Sequence, residues 1–193
     1  STSSTSSTSS STSTSKSKSN STTLLSSLTV KYTLKHHTCA VRSVAFHDIL
    51  QLLATGSNDC TVILYDLTIS PPSIQHHLKH HTKKIYTITF HRTLPLCATG
   101  SADKLIFLYD FINSTQLTRH CLNDHTGEIN SITYHPHVLQ LATASDDGTA
   151  FLYDISKSPP TIIHRFNYSF GYFVMFVNFH PNLPLFIITS TNE

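Results

Sequence analysis

The stretch HTGEINSITYHPHVLQLATASDDGTAFLYD (residues 125–154) decides the fold, because the chain carries it three times. HTKKIYTITFHRTLPLCATGSADKLIFLYD occupies residues 81–110, and HTCAVRSVAFHDILQLLATGSNDCTVILYD occupies residues 37–66. The units start 44 residues apart. In each, the first histidine stands 22 residues before an aspartate (Asp59, Asp103, Asp147). That aspartate stands six residues before a closing Tyr-Asp pair: Tyr65-Asp66, Tyr109-Asp110 and Tyr153-Asp154. A single active site would not recur at fixed spacing. The stretch is a repeat unit, and its His and Asp are structural before they are anything else.

Within a unit the pattern reads as four short strands. VRSVAF, IYTITF and INSITY alternate with period 2, as half-buried strands do. QLLATGS, PLCATGS and QLATAS follow, with Cys97 placed in a strand. Tight turns come next at NDCT, ADKL and DDGT, where an Asp side chain caps nearby backbone. TVILYD, LIFLYD and TAFLYD are apolar on both faces and so need cover on both sides. SIQHHL, TQLTRH and TIIHRF close each unit. Residues 41–78, 85–121 and 129–166 are each expected to form one four-stranded antiparallel sheet, stacked like blades.

These residues resemble the WD-repeat β-propeller family, which places a Gly-His pair near the start of each unit, a turn Asp, and a closing Trp-Asp. The matching residues are His37, His81 and His125, then Asp59, Asp103 and Asp147. The closing pair is Tyr-Asp throughout, and His36, His80 and Asp124 replace the glycine. The resemblance covers about residues 29–193. It implies an all-β fold: three complete four-stranded blades and a partial fourth, an open or truncated propeller. It also implies a buried hydrogen-bonded chain in each unit, with Thr55, Thr99 and Thr143 supplying the hydroxyl and Ser57, Ser101 and Ser145 as alternates. The tyrosines are expected to serve as packing residues.

The partial fourth unit begins near Ser169. FVNFHPNLPLFIITS matches the first two strands, and TVKYTL before His37 reads as an isolated fourth strand. Phe170, Phe173, Phe176, Phe179, Phe186 and Ile187 are expected to have too few partners, so self-association through the uncovered end blades is expected as well. Seven blades at this repeat length would take about 300 residues, so the chain reads as an incomplete propeller or fragment.

Residues 1–28 form a separate Ser/Thr-rich segment with almost nothing to bury, and a disordered tail is expected there. Four lysines and no acid fall in residues 1–35, while the remainder has nine bases and eleven acids. A near-neutral repeat region argues against nucleic-acid binding by phosphate neutralisation. No apolar run is long enough to span a membrane as a helix. Cys39, Cys60, Cys97 and Cys121 form no C-x-x-C pair and read as reduced thiols of an intracellular protein, cytoplasmic or nuclear.

Fourteen histidines raise the question of a metal. HHLKHH (His76, His77, His80, His81) is the densest cluster, but His81 belongs to the repeat and no Cys/His set has zinc spacing. No metal, cofactor or catalytic residue is expected. The resemblance implies a binding face built from the loops entering the first strand and from the second-to-third-strand turns. By position its residues are Arg42, Asn58, Lys83, Lys84, Tyr86, Lys104, Glu128, Asn130 and Asp146. The function that follows is a non-catalytic scaffold organising a multiprotein complex. The alternative is a subunit of RNA-processing or vesicle-coat machinery that binds RNA or a sorting motif.

Overall fold

The computed structural model describes residues 29–111, 117–168, 171–183 and 185–192. The Ser/Thr-rich segment 1–28 and residues Ser169 and Phe170 lie outside them. Among the described residues all regular structure is strand. None forms a helix long and apolar enough to cross a membrane.

The first sheet is β1 (Val41–His47), β2 (Leu52–Ser57), β3 (Val62–Asp66) and β4 (Ser73–Leu78). The second is β5 (Ile85–Phe90), β6 (Leu96–Ser101), β7 (Ile106–Asp110) and β8 (Thr118–Leu122). The third is β9 (Ile129–Tyr134), β10 (Gln140–Ser145), β11 (Thr149–Asp154) and β12 (Thr161–Asn167). Each is an antiparallel meander in chain order. A hairpin of β13 (Tyr172–Phe179) and β14 (Phe186–Asn192) follows.

Short polar turns make meanders the natural outcome, and the doubly apolar third strands force the sheets to stack. Val62, Ile63, Leu64 and Tyr65 of β3 are all buried, as are Ile106, Phe107, Leu108 and Tyr109 of β7. One core joins Ala54, Val62 and Leu64 of the first sheet to Ile85, Ile88 and Cys97 of the second. The next joins Ala98, Ile106 and Leu108 to Ile129, Ile132 and Leu141. The last joins Ala142, Ala144 and Ala150 to Val174 and Val177 of β13.

Glycine and alanine in β2, β6 and β10 tune these contacts. A Cβ on Gly56 would stand 2.7 Å from Ile85 Cγ2 and Ile88 Cδ1, and one on Gly100 would stand 2.6 Å from Ile129 Cγ2. The third repeat carries Ala144 at that place, and the next layer there offers the smaller Val174 and Val177. TGS becomes TAS where the facing isoleucines become valines.

Two expectations are corrected. Residues 29–34 carry no strand, and Val30 is 86 % exposed. A fourth strand needs a third strand to donate to, and no such partner exists among the described residues. The compact unit of sheets begins at Lys35. In the terminal hairpin, Phe179 and Phe186 do find partners. Phe179 packs on His135 and Phe186, and Phe186 packs on Phe166. They share the hairpin face that Val177 turns toward β10. Phe176 and Ile187 lie on the other face and stay 62 % and 67 % exposed.

Candidate functional site

Three side chains meet in the same way in every complete sheet. His37 Nδ1 is 2.9 Å from Asp59 Oδ2, and its Nε2 is 2.8 Å from Thr55 Oγ1. His81 is 2.9 Å from Asp103 Oδ2 and 2.9 Å from Thr99 Oγ1. His125 is 3.0 Å from Asp147 Oδ2 and 2.8 Å from Thr143 Oγ1. The imidazole donates from Nδ1 to the carboxylate and accepts the hydroxyl proton at Nε2. Period 2 puts the serine two residues on at the turn, where Ser57, Ser101 and Ser145 accept the amide of Asp59, Asp103 and Asp147.

The carboxylates are saturated by further donors. Asp103 also accepts the amides of Thr82 and Leu105. Burial works to raise its pKa, but these amides and His81 outweigh burial and hold it below the usual carboxylate value. Asp59 and Asp147 are held lower still, each also accepting a turn hydroxyl, Thr61 or Thr149, that Leu105 cannot supply. Burial lowers the pKa of His81, and Asp103 only partly offsets it. Ser, His and Asp thus coexist in each sheet with both imidazole nitrogens and the carboxylate engaged internally. Nucleophilic catalysis needs such groups at an open cleft.

Sequence reasoning missed the partner of each buried tyrosine. The Tyr65 hydroxyl is 3.1 Å from His36 Nδ1, and the Tyr109 hydroxyl is 3.0 Å from His80 Nδ1. Tyr153 donates to Asp124 Oδ2 at 3.2 Å. Burial, then Asp124, pushes the Tyr153 hydroxyl up. The two departures from the repeat pattern, Tyr for Trp and His or Asp for Gly, meet in a hydrogen bond in all three sheets. The signal was their joint occurrence in all three units, 29 residues apart.

The HHLKHH cluster is dispersed by strand alternation and its turn. His76 packs on Phe111, His80 lies against Tyr109, and His81 is taken by Asp103 and Thr99. Among the described residues no group of three His, Cys, Asp or Glu side chains is placed to hold a metal ion.

The loop-face residues are organised by β-bulges. The register slips between Val41 and Ser43, between Ile85 and Thr87, and between the β10 partners of Ile129 and Ser131. Arg42, Tyr86 and Asn130 are the extra residues, and a bulge re-aims such a side chain. Beside each, the second-to-third-strand turn is tied to the entering loop: Asn58 to Ala40, Ala102 to Lys84, Asp146 to Glu128, at 2.9–3.0 Å. Arg42 donates to Asn58 at 3.0 Å, and Asn130 donates to Asp146 at 2.6 Å. In the second sheet the turn offers only Ala102, and Tyr86 instead lies beside Glu128, with which it lines two adjoining concavities. Burial, then Glu128, raises the Tyr86 pKa.

Two concavities adjoin here. Asn58, Lys83, Lys84, Tyr86 and Glu128 line one, and Tyr86, Glu128, Asn130 and Asp146 line the other. Lys104 stands apart from both, exposed at the tip of its turn.

The WD40 family, described as WD domain, G-beta repeat, matches residues 28–66, 72–110 and 116–154. No curated protein matches the chain. Each match ends on a Tyr-Asp pair, so the repeat in sequence runs one strand out of phase with the sheet in space: β4 closes the first sheet but opens the second match. The matches cover more than half of the chain, and the chain belongs to the WD40 family. Proteins of this family generally act by binding other proteins.

Proposed function

We propose that this WD40-family chain is a non-catalytic scaffold that organises a multiprotein complex through the face carrying Arg42, Tyr86 and Asn130. The observation that carries the reading is the recurrence of a bulge at the same place in successive sheets. Bulges interrupt pairing and are retained where a side chain must be aimed. Here they aim an arginine, a tyrosine and an asparagine at one another's neighbourhoods, beside exposed Lys83 and Lys84. Arginine and tyrosine are favoured anchors of protein interfaces. The internal saturation of every His–Asp pair supports a structural role for those groups and leaves binding to this face.

The test is affinity capture with the 193-residue chain, comparing it with a Lys83→Glu, Lys84→Glu, Tyr86→Ala variant of unchanged melting behaviour. A second variant, Gln75→Ala with His77→Ala, alters exposed positions on β4. The face variant is expected to lose a reproducible set of captured proteins that the β4 variant keeps. Loss in the β4 variant alone, or an unchanged set in the face variant, would overturn the assignment.

A further inference from the structure

We propose that the concavity between Tyr86 of the second sheet, the β10–β11 turn of the third sheet and strand β13 receives an arginine side chain of a partner protein. This rests on the protein-binding reading above and specifies part of its chemistry. The concavity measures about 560 Å³, and its walls include Tyr86, Phe173 and Phe176, with Glu128 and Asp146 as its carboxylates. Phe176 is largely exposed on an otherwise strand-paired hairpin.

The Asp146 carboxylate is oriented by a neutral donor. Asn130 Nδ2 donates to Asp146 Oδ1 at 2.6 Å and to the Val174 carbonyl at 3.0 Å, which ties the turn to β13. Glu128 lies beside Tyr86. Among the described residues the ion pairs are the three His–Asp pairs and Lys157–Asp154, so neither carboxylate of this site is neutralised by a paired cation. Lys83 and Lys84 line only the adjoining concavity, which shares Tyr86 and Glu128 with this one. Arg42, close enough to act on Tyr86, is itself held by Asn58.

Aromatic walls with carboxylates select among ligands. An apolar side chain would desolvate Glu128 and Asp146 without compensation. A divalent cation would find two carboxylates and no imidazole in a lining with three aromatic side chains, a poor match to the about six or more oxygens it needs. A guanidinium satisfies both features: its plane stacks on aromatic rings and its forked N–H groups donate to carboxylates. A lysine ammonium is more strongly hydrated and lacks the planar fork, so it should bind more weakly.

The experiment is a nuclear magnetic resonance titration of the full 193-residue chain with Nα-acetyl-arginine amide. Nα-acetyl-citrulline amide, the neutral isostere, is the control. The arginine probe should shift Tyr86, Asn130, Phe173 and Met175 resonances saturably, in the millimolar range expected of a single side chain. The citrulline probe should bind about ten-fold more weakly or not at all. Asp146→Asn and Glu128→Gln should each weaken the arginine probe about ten-fold, the scale of one charge-assisted hydrogen bond. Phe176→Ala, at an exposed position that leaves folding intact, should weaken it too. Lys83→Glu with Lys84→Glu should leave probe binding unreduced. Equal binding of both probes, insensitivity to the carboxylate and Phe176 variants, or no saturable shift would overturn the proposal. If the face variant still abolishes protein capture while the arginine probe fails, the scaffold reading stands and the arginine site alone falls.

Discussion

Val44 and Ile88 hold the same place in successive repeats, yet Val44 is 59 % exposed and Ile88 only 6 %. Phe46 and Tyr134 repeat the contrast: the phenylalanine is largely exposed and the tyrosine buried. Strand identity, pairing and register are alike in the two regions. What differs is the neighbour. Ile88 lies against Ala54, Val62 and Leu64 of the sheet before it, and β1 has no such layer among the described residues. In a stacked repeat, local sequence makes the sheet, and the adjacent sheet makes the core.

The largest expected effect follows directly. Ile88→Ala removes a buried side chain and leaves a cavity, at a cost of about 2–4 kcal/mol. Val44→Ala, at the matching exposed place, should cost no more than about 0.5 kcal/mol. Urea melts of the two variants decide it. Equal costs would mean that β1 is covered in solution, by a second copy or another segment, and the contrast between the regions would be lost.

The hydrogen-bonded triads sharpen the same contrast. His81 and Asp103 are more enclosed than His37 and Asp59. Asp103→Ala or His81→Ala should cost about 1–3 kcal/mol, the penalty for leaving a buried partner unsatisfied. Asp59→Ala should cost less, because water can reach His37. Acid should act with a definite sign. The folded pKa of Asp103 lies below its unfolded value of about 3.9, so its contribution is present above that value and is lost as pH falls through the folded one. His81 is also lowered by burial, so below about pH 6.5 its unfolded form gains a proton first and stability declines there as well. Stability that rises on acidification from about pH 7 to about pH 5 would contradict the His81 direction, and stability that rises from about pH 4 to about pH 2 would contradict that of Asp103.

The three sheets were legible because a 44-residue period with period-2 strands inside it admits few other folds, and the His, Asp and Thr positions come with it. The uncovered ends were legible from the count of strands, and Phe176 and Ile187 are indeed exposed, but the partners of Phe179 and Phe186 were not, since aromatic packing within a terminal hairpin leaves no periodic mark. Nor was the bulge at Arg42, Tyr86 and Asn130. An extra residue in a strand leaves no mark in an alternation that resumes one position later. The role of His36, His80 and Asp124 was hidden for another reason: each stands in the family's glycine position, and only the fold sets it beside the tyrosine 29 residues on.

A smaller effect probes the contact between layers. Gly100→Ala would push a methyl into Ile129 and Ile132, and overpacking of this kind costs about 1–3 kcal/mol. Ala144→Gly should cost about 1 kcal/mol through chain entropy and lost burial against Val174 and Val177. Both variants are thus expected to be destabilised, in opposite senses of volume. If Gly100→Ala melts like the parent, the second and third sheets are packed more loosely than the second repeat's glycine implies.

The smallest effect concerns the tips of the β2–β3, β6–β7 and β10–β11 turns. Cys60, Lys104 and Gly148 are equivalent and all left-handed, with φ of 68°, 74° and 77°. A residue with a Cβ is strained there by about 1–2 kcal/mol, while glycine loses about 0.5–1 kcal/mol more chain entropy on folding. The balance favours glycine by a few tenths to about 1 kcal/mol at an exposed site. Lys104 is such a site, so Lys104→Gly should raise stability by that amount. The reverse change at the third turn should do the opposite and more. A Cβ on Gly148 would approach the Tyr172 carbonyl oxygen to 3.0 Å, adding a contact to the strain. Thermal melts of Lys104→Gly and Gly148→Ala should therefore move in opposite directions, with the larger shift downward for Gly148→Ala. A lowered melting temperature for Lys104→Gly would show that the lysine side chain holds its turn by contacts that outweigh the left-handed strain, and the three turns could no longer be treated as equivalent.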